Sequence, residues 1–418
     1  MLSVFSSTWP LLIGVLLLMV GNGVQSSLLG IRGAIEGFST LEMSIVMSAY
    51  FAGFLLGSRT VPGMIQRVGH VRVFAALGSM ISAVLVCYPV MPDWMIWALM
   101  RVLIGFSFSG VYITAESWLN NTSTNETRGQ ALSLYMIVQM AGIISAQLLL
   151  NVADPAGFSL FVIPSVLVSF AFIPILITVT QAPTFDTTER LSFAKLYEVS
   201  PLGVVGMFLT GGVFAAMFGM ASVWGTIAGL SVAQISLFIA AMYGGGLAFQ
   251  YPIGWISDRM DRRIVIAALA AAGSLVMLLG VFTPVNMWLL TPIAVLLGGI
   301  ANPLYSLLIA HTNDFLEKQQ MAGASAGLLF MNGLGAIAGP LLTGWLMDRM
   351  GPPGFFVFIL ALMASLTAYA AWRMTQRTAP RPEETGAFAV VAPTAQTVAV
   401  GVLMEEAGQD TAATREEK

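Results

Sequence analysis

Twelve apolar stretches, each about as long as a membrane-spanning helix, follow one another along this chain, and nearly all of the charge sits in the short gaps between them. They fall at about 9–31, 41–65, 72–91, 94–118, 129–151 and 158–180, then at about 201–227, 232–257, 264–283, 287–311, 321–346 and 354–376. A helix needs about 20 apolar residues to cross a bilayer. Inside hydrocarbon every backbone N–H and C=O must be paired within the protein, which a helix does for itself. Residues are 57% hydrophobic and 9% charged, against roughly 25% charged in soluble domains, and the mean hydropathy is +0.84. A soluble fold could not cover that much apolar surface. The expectation is an all-α membrane protein of twelve transmembrane helices, with the lipid bilayer as its first partner.

Several function classes drop out early. The lone Cys87 and the absence of any Cys/His spacing leave no disulfide framework, no metal site and no cofactor to expect. A net charge of -3 gives no reason to expect nucleic acid as a partner. No Gly-x-x-x-x-Gly-Lys-Ser/Thr run is present, so energy is expected to come from gradients. An intramembrane enzyme would need a nucleophile with a base, or paired acids, at depth. Both histidines, His70 and His311, lie at segment ends, and the segments hold no Asp/Glu pair. A non-enzymatic function is expected. The N-terminal MLSVFSSTWP lacks the basic residues of a signal peptide and reads as the start of a retained first helix.

Basic residues sort onto alternate loops. Arg67 and Arg72, Arg128, Arg190 and Lys195, Arg259, Arg262 and Arg263, Lys318, and Arg373, Arg377 and Arg381 lie on one side; the other offers Arg32 and Arg349 and little else. By the positive-inside rule both termini are expected in the cytoplasm. Residues 181–200 are the one long polar interruption, dividing a six-helix bundle at 1–180 from a second at 201–376, with a cytoplasmic linker between them. Residues 377–418, rich in Ala, Thr, Pro, Gly and Glu, read as a disordered cytoplasmic tail.

The halves also overlay. A shift of 192 brings Ser44 onto Ser236, Gly53 onto Gly245, Arg67 onto Arg259 and Pro92 onto Pro284; a shift of 197 brings Gly142 onto Gly339 and Pro155 onto Pro352. Two pseudo-symmetric six-helix bundles follow. Close-spaced glycines such as Gly244, Gly245 and Gly246 are expected to let helices touch backbone to backbone.

The charged burst GWISDRMDRR at 254–263 contains Gly-x-x-x-Asp-Arg followed by basic residues. With the duplication, it resembles the loop signature of the major facilitator superfamily over residues 9–376. The first-half counterpart, PGMIQRVGHVR, has Pro62 and Gln66 where the motif has Gly and Asp. The runs AESWLN, RGQALSLY and AHTND are similar to the YcaD-type branch of bacterial inner-membrane members, which implies a multi-pass protein of that membrane. The resemblance implies that Asp258 latches onto the start of segment 5, near Arg128 and Gly129. A plain cytosolic anchor is the alternative. It implies that segments 1, 4, 7 and 10 line the pathway, where Asn22, Gln25, Ser26, Tyr112, Trp224, Asn302 and Tyr305 are cavity candidates; ordinary helix–helix hydrogen bonds are the alternative. Arg101 with Gly105 is similar to the family's fourth-helix motif. At about 10 Å depth the guanidinium needs a cavity or a partner, with snorkelling or a structural ion pair as alternatives. The helix-5 antiporter pattern is absent, and a similar run, GAIAGP, stands on segment 11.

Glu116 and His311 close segments 4 and 10 at equivalent places, so Glu116 with Arg67, and Asp314 with Arg259, are candidate gate pairs alongside Arg262; interfacial charge without a gating role is equally open. The reading is a secondary transporter working by alternating access, expected to act as a monomer. It would carry a small organic solute, with protons as a candidate coupling ion and efflux favoured over uptake. A non-transporting sensor on the same fold, or an intramembrane enzyme, are the alternatives.

Overall fold

The computed structural model describes residues 2–123, 128–176, 192–316 and 318–376, with Phe388, Val390, Val391 and Val400. Of these, the side chains of residues 2–7, 121, 122, 128, 129, 175, 318, 319 and 322 lie outside the description. The described secondary structure is helical: α1 (Leu2–Ile35), α2 (Thr40–Val68), α3 (His70–Cys87), α4 (Trp94–Thr122), α5 (Arg128–Leu149), α6 (Ser159–Ala171), α7 (Ile173–Leu176), α8 (Phe193–Val199), α9 (Pro201–Ala215), α10 (Ala221–Ile227), α11 (Val232–Ser257), α12 (Arg262–Phe282), α13 (Met287–Asn313), α14 (Lys318–Met350) and α15 (Pro353–Met374). A π-helical turn, Ala216–Met220, joins α9 to α10 as one apolar stretch. Among the described residues 11 stretches are long and apolar enough to span a membrane, and the shorter α6 occupies the place of the sixth. This is an all-α membrane fold.

Local chemistry sets the helix starts. Ser39 and Glu42 form a reciprocal capping box at α2. Asp93 accepts from the N–H groups of Met95 and Ile96 to open α4 (2.9 and 3.1 Å), and Asn286 accepts from Trp288 N–H to open α13 (2.9 Å). These caps satisfy N–H groups that have no intrahelical acceptor.

The chain forms two compact units. One contains α1–α7 with Ala216–Ala240 and Pro340–Phe355; the other contains α8, α9, Ala241–Gly339 and the chain from Phe356 onward. In the first, α2 packs along α4, α1 against α5 and α6, and α3 against α4 and α6, while α10 packs on α1. In the second, α13 packs against α9 and α12.

Backbone-to-backbone contact recurs in both units. A Cβ on Gly53 would strike the Val102 carbonyl, and one on Gly105 the Tyr50 carbonyl. In the second unit Gly245 meets the Val295 carbonyl and Gly298 that of Met242 in the same way. The same crossing of two helices is thus built twice, from glycines near equivalent repeat positions.

Residues 181–191 of the linker lie outside the described residues; Ser192 caps α8 by accepting from Lys195 N–H (3.3 Å). Most of the tail also lies outside them. Val391 and Val400 are buried.

Candidate functional site

In the first unit α1, α2 and α4 bring five of the expected cavity residues together. Arg101, 1% exposed, donates from Nη1 to Gln25 Oε1 (3.0 Å). Gln25 Nε2 donates to Asn22 Oδ1 (3.3 Å) and to Ser26 Oγ (3.5 Å), and Asn22 Nδ2 donates to the Tyr112 hydroxyl (3.2 Å). Nη2 of Arg101 reaches Met47 Sδ (3.5 Å), and its Cζ lies 4.6 Å from the centre of the Tyr50 ring. Nε of Arg101 has no hydrogen-bond partner among the described residues, and no carboxylate there forms an ion pair with it. A full positive charge is therefore held by an amide oxygen, a thioether and a ring face. An isolated buried cation is costly unless something anionic completes its shell.

The other three candidates stand apart from this network. Trp224 packs in an aromatic cluster with Phe238 and Phe355, ring centres at 4.8 and 5.3 Å. Asn302 and Tyr305 belong to the second unit. Asn302 Nδ2 donates to Gly298 O (3.0 Å) while its Oδ1 has no partner among the described residues, and Tyr305 sets its ring edge-on to Phe214 at 5.7 Å. Tyr50 and Met47 lie outside segments 1, 4, 7 and 10 and were not expected here; they reach Arg101 because Gly53 and Gly105 let α2 lie against α4.

The second unit holds a charge cluster where α11, α12 and α13 meet. Arg262 Nη1 donates to Asp314 Oδ1 (2.5 Å) and to the Ala310 carbonyl (3.3 Å), Nε donates to Ser257 Oγ (3.3 Å), and Nη2 lies 3.4 Å from Asp258 Oδ1. This corrects the expected Asp314–Arg259 pair. Arg259 instead lies over its neighbour's ring, Cζ 4.0 Å from the centre of Trp255, and donates to the Trp255 carbonyl (2.9 Å). Arg262 opens α12 and so faces the end of α13, whereas Arg259 sits on the exposed turn before it.

The Glu116–Arg67 pair is likewise not formed: Glu116 is fully buried and Arg67 is exposed, with no ion pair between them. The neighbouring His70 Nε2 and Ser117 Oγ are hydrogen-bonded at 2.9 Å. The side chain of Arg128 and the surroundings of Gly129, the expected target of Asp258, lie outside the description. His311 is buried, edge-on to Phe315 at 5.1 Å, and lines a small surface recess with Arg263, Arg373 and Ser200. Asp261 caps α12 through Arg263 N–H (2.9 Å) and pairs with the Arg263 guanidinium (2.8 Å). Burial pushes the Asp261 carboxyl up, but Arg263 and the charge of His311 outweigh it and hold it below its ordinary value. No group of three or more His, Cys, Asp or Glu placed to hold a metal occurs among the described residues.

Helical spans and a duplicated glycine crossing define a multi-pass membrane protein, and its first unit holds a buried guanidinium in a polar network. Residues 202–407 match the family model described as Major Facilitator Superfamily, and residues 5–185 match that described as Sugar (and other) transporter. The chain belongs to the major facilitator superfamily, whose members are non-enzymatic secondary transporters working by alternating access. It is 27% identical over 355 residues to the uncharacterized MFS-type transporter YcaD of Escherichia coli (strain K12 / DH10B), covering 84% of this chain and 92% of that one. The fold is similar to the crystal structure of the nucleoside transporter NupG, with TM-score 0.70, 15% identity, and 88% and 98% of the two chains covered. A bacterial homologue of the human lysosomal transporter Spinster, in an inward-facing and occupied conformation, gives TM-score 0.67 at 14% identity over 98% and 96%.

Proposed function

We propose that this transporter carries a small amphipathic organic solute bearing one anionic group, with Arg101 as the anion receptor. The observation that carries the reading is the buried guanidinium of Arg101, which has an amide and a ring for company and an Nε with no partner among the described residues. A carboxylate there would take a charge-assisted hydrogen bond, and Tyr50 and Tyr112 would face the apolar part. Asn22, Gln25 and Ser26 set the orientation of the polar end. Binding energy of that kind, differing between the two access states, is what biases a carrier. Protons are our candidate coupling ion, and export our direction, because amphipathic solutes leak inward through lipid. On this reading the protein sits in a bacterial inner membrane with both termini in the cytoplasm and acts as a monomer. The roles of Trp224, Asn302 and Tyr305 in the pathway, and of Arg67, Glu116, Arg128, Asp258, Arg259, Arg262, His311 and Asp314 in gating, belong to the same proposal.

The test is counterflow of labelled benzoate into proteoliposomes, with benzamide as the neutral isostere. Benzoate exchange that disappears in Arg101→Met supports the reading. Equal exchange of both compounds, or undiminished benzoate exchange in the variant, would sink it.

A further inference from the structure

We propose that the wall formed by α11 and α13 in the second unit is a groove for peptide backbone, and that its occupant is the chain's own tail at Phe388 and Val391. Hydrogen bonds at its two ends and one ring contact define it. Ser306 Oγ accepts from Val391 N–H (3.0 Å) and donates to the Val391 carbonyl (3.2 Å). Gln250 Nε2 donates to the same hydroxyl (2.8 Å). A serine hydroxyl has one donor and two acceptor sites, so Ser306 is saturated, and two of its three bonds go to the tail. At the other end Asp258 Oδ1 accepts from Phe388 N–H (2.8 Å). The Phe388 ring lies against Gly254, where a Cβ would collide with it.

These bonds answer what an apolar wall requires of an arriving chain. A backbone N–H or C=O buried without a partner costs about as much as a lost hydrogen bond. Val391 is 2% exposed, and both of its backbone groups are satisfied by one side chain. Two anchors three residues apart, one an acid and one a hydroxyl, fix the register, and Gly254 supplies the flat seat for the ring. Asp258 is shared: its Oδ1 also faces Arg262 at 3.4 Å. The tail therefore occupies the acid of the GWISDRMDRR cluster and the polar face of a helix that the transporter reading places in the pathway. The strap has to leave before that face can open, a consequence that rests on the transporter reading, although the docking itself does not.

The experiment reads docking without any solute. In full-length Cys87→Ser protein, Val391→Cys is labelled with a water-soluble maleimide and compared with Gln376→Cys, an exposed position on the same chain. Labelling at 391 is expected to be at least tenfold slower than at 376. Adding Ser306→Val, or independently Gly254→Leu, is expected to speed it at least fivefold. Equal rates at 391 and 376, or protection that neither substitution relieves, would overturn the strap. A failed benzoate assignment would leave this measurement unchanged, so the two readings fail separately.

Discussion

Arg262 and Asp314 meet with Nη1 and Oδ1 2.5 Å apart, and their side chains are only 2% and 3% exposed. The contact ties the first turn of α12 to the end of α13. Breaking one side of a buried pair typically costs about 3–5 kcal/mol, because a charge is left without its partner. Asp314→Ala should fall at the lower end, since Asp258 remains 3.4 Å from the guanidinium. Asp258→Asn, at a side chain 37% exposed, should cost about 1 kcal/mol or less. Thermal unfolding of the two variants in detergent orders them; a larger loss for Asp258→Asn would contradict that order.

The glycines at 244 and 245 make a neighbouring control. Nothing lies within 4 Å of a Cβ on Gly244, whereas one on Gly245 meets the Val295 carbonyl oxygen. Gly244→Ala should be neutral or stabilising by up to about 1 kcal/mol. Gly245→Ala should destabilise by about 1–3 kcal/mol as α11 and α13 are forced apart. Equal melting temperatures for the two variants would argue against the close crossing.

Gln25 is the amide that answers the buried charge of Arg101. Gln25→Leu removes that acceptor, and hydrogen bonds to charged groups are worth about 1.5–3 kcal/mol. A loss of that size in unfolding free energy is expected, with benzoate exchange reduced at least tenfold. Arg101→Lys should lose exchange as well, because a single ammonium cannot reproduce the planar fork. Exchange at the wild-type rate in Arg101→Lys would show that guanidinium geometry is not used.

Asp261 supplies the pH dependence. Its folded carboxyl is held below the ordinary value of 3.8, so the folded state prefers the ionised form. The stabilisation is complete above that ordinary value and is lost as the pH falls through the folded one. Asp261→Asn keeps an N-cap but not the charge. Its melting temperature should lie below wild type at neutral pH, and the gap should close in acid, once the pH has passed below the ordinary carboxylate range. A gap that persists undiminished in acid would refute the linkage.

Much of the fold was legible because hydrocarbon allows few solutions. Spans of apolar residues, polar caps such as Asp93 and Asn286, and the Gly53/Gly245 correspondence all act through local chemistry or through a repeated crossing. The Arg101 network was legible in part: Asn22, Gln25, Ser26 and Tyr112 lie on segments 1 and 4, while Tyr50 and Met47 reach the guanidinium from a neighbouring helix that no spacing rule connects to it. The partner of Asp314 was not legible, because repeat positions say which loops correspond, not which of Arg259, Arg262 and Arg263 turns inward.

By itself the sequence determined the class of this protein: a chain so poor in charge must satisfy its backbone inside helices, and its duplicated halves must pack through residues with no side chain. Only the tertiary structure decided which charge meets which. Arg262, not Arg259, takes Asp314; Ala216–Ala240 and Pro340–Phe355 join the first unit; and Val391 finds Ser306 across 85 residues of chain. Pairings of that kind depend on the direction in which each side chain leaves its helix and on what another helix presents at the same height, and neither is written in any single segment.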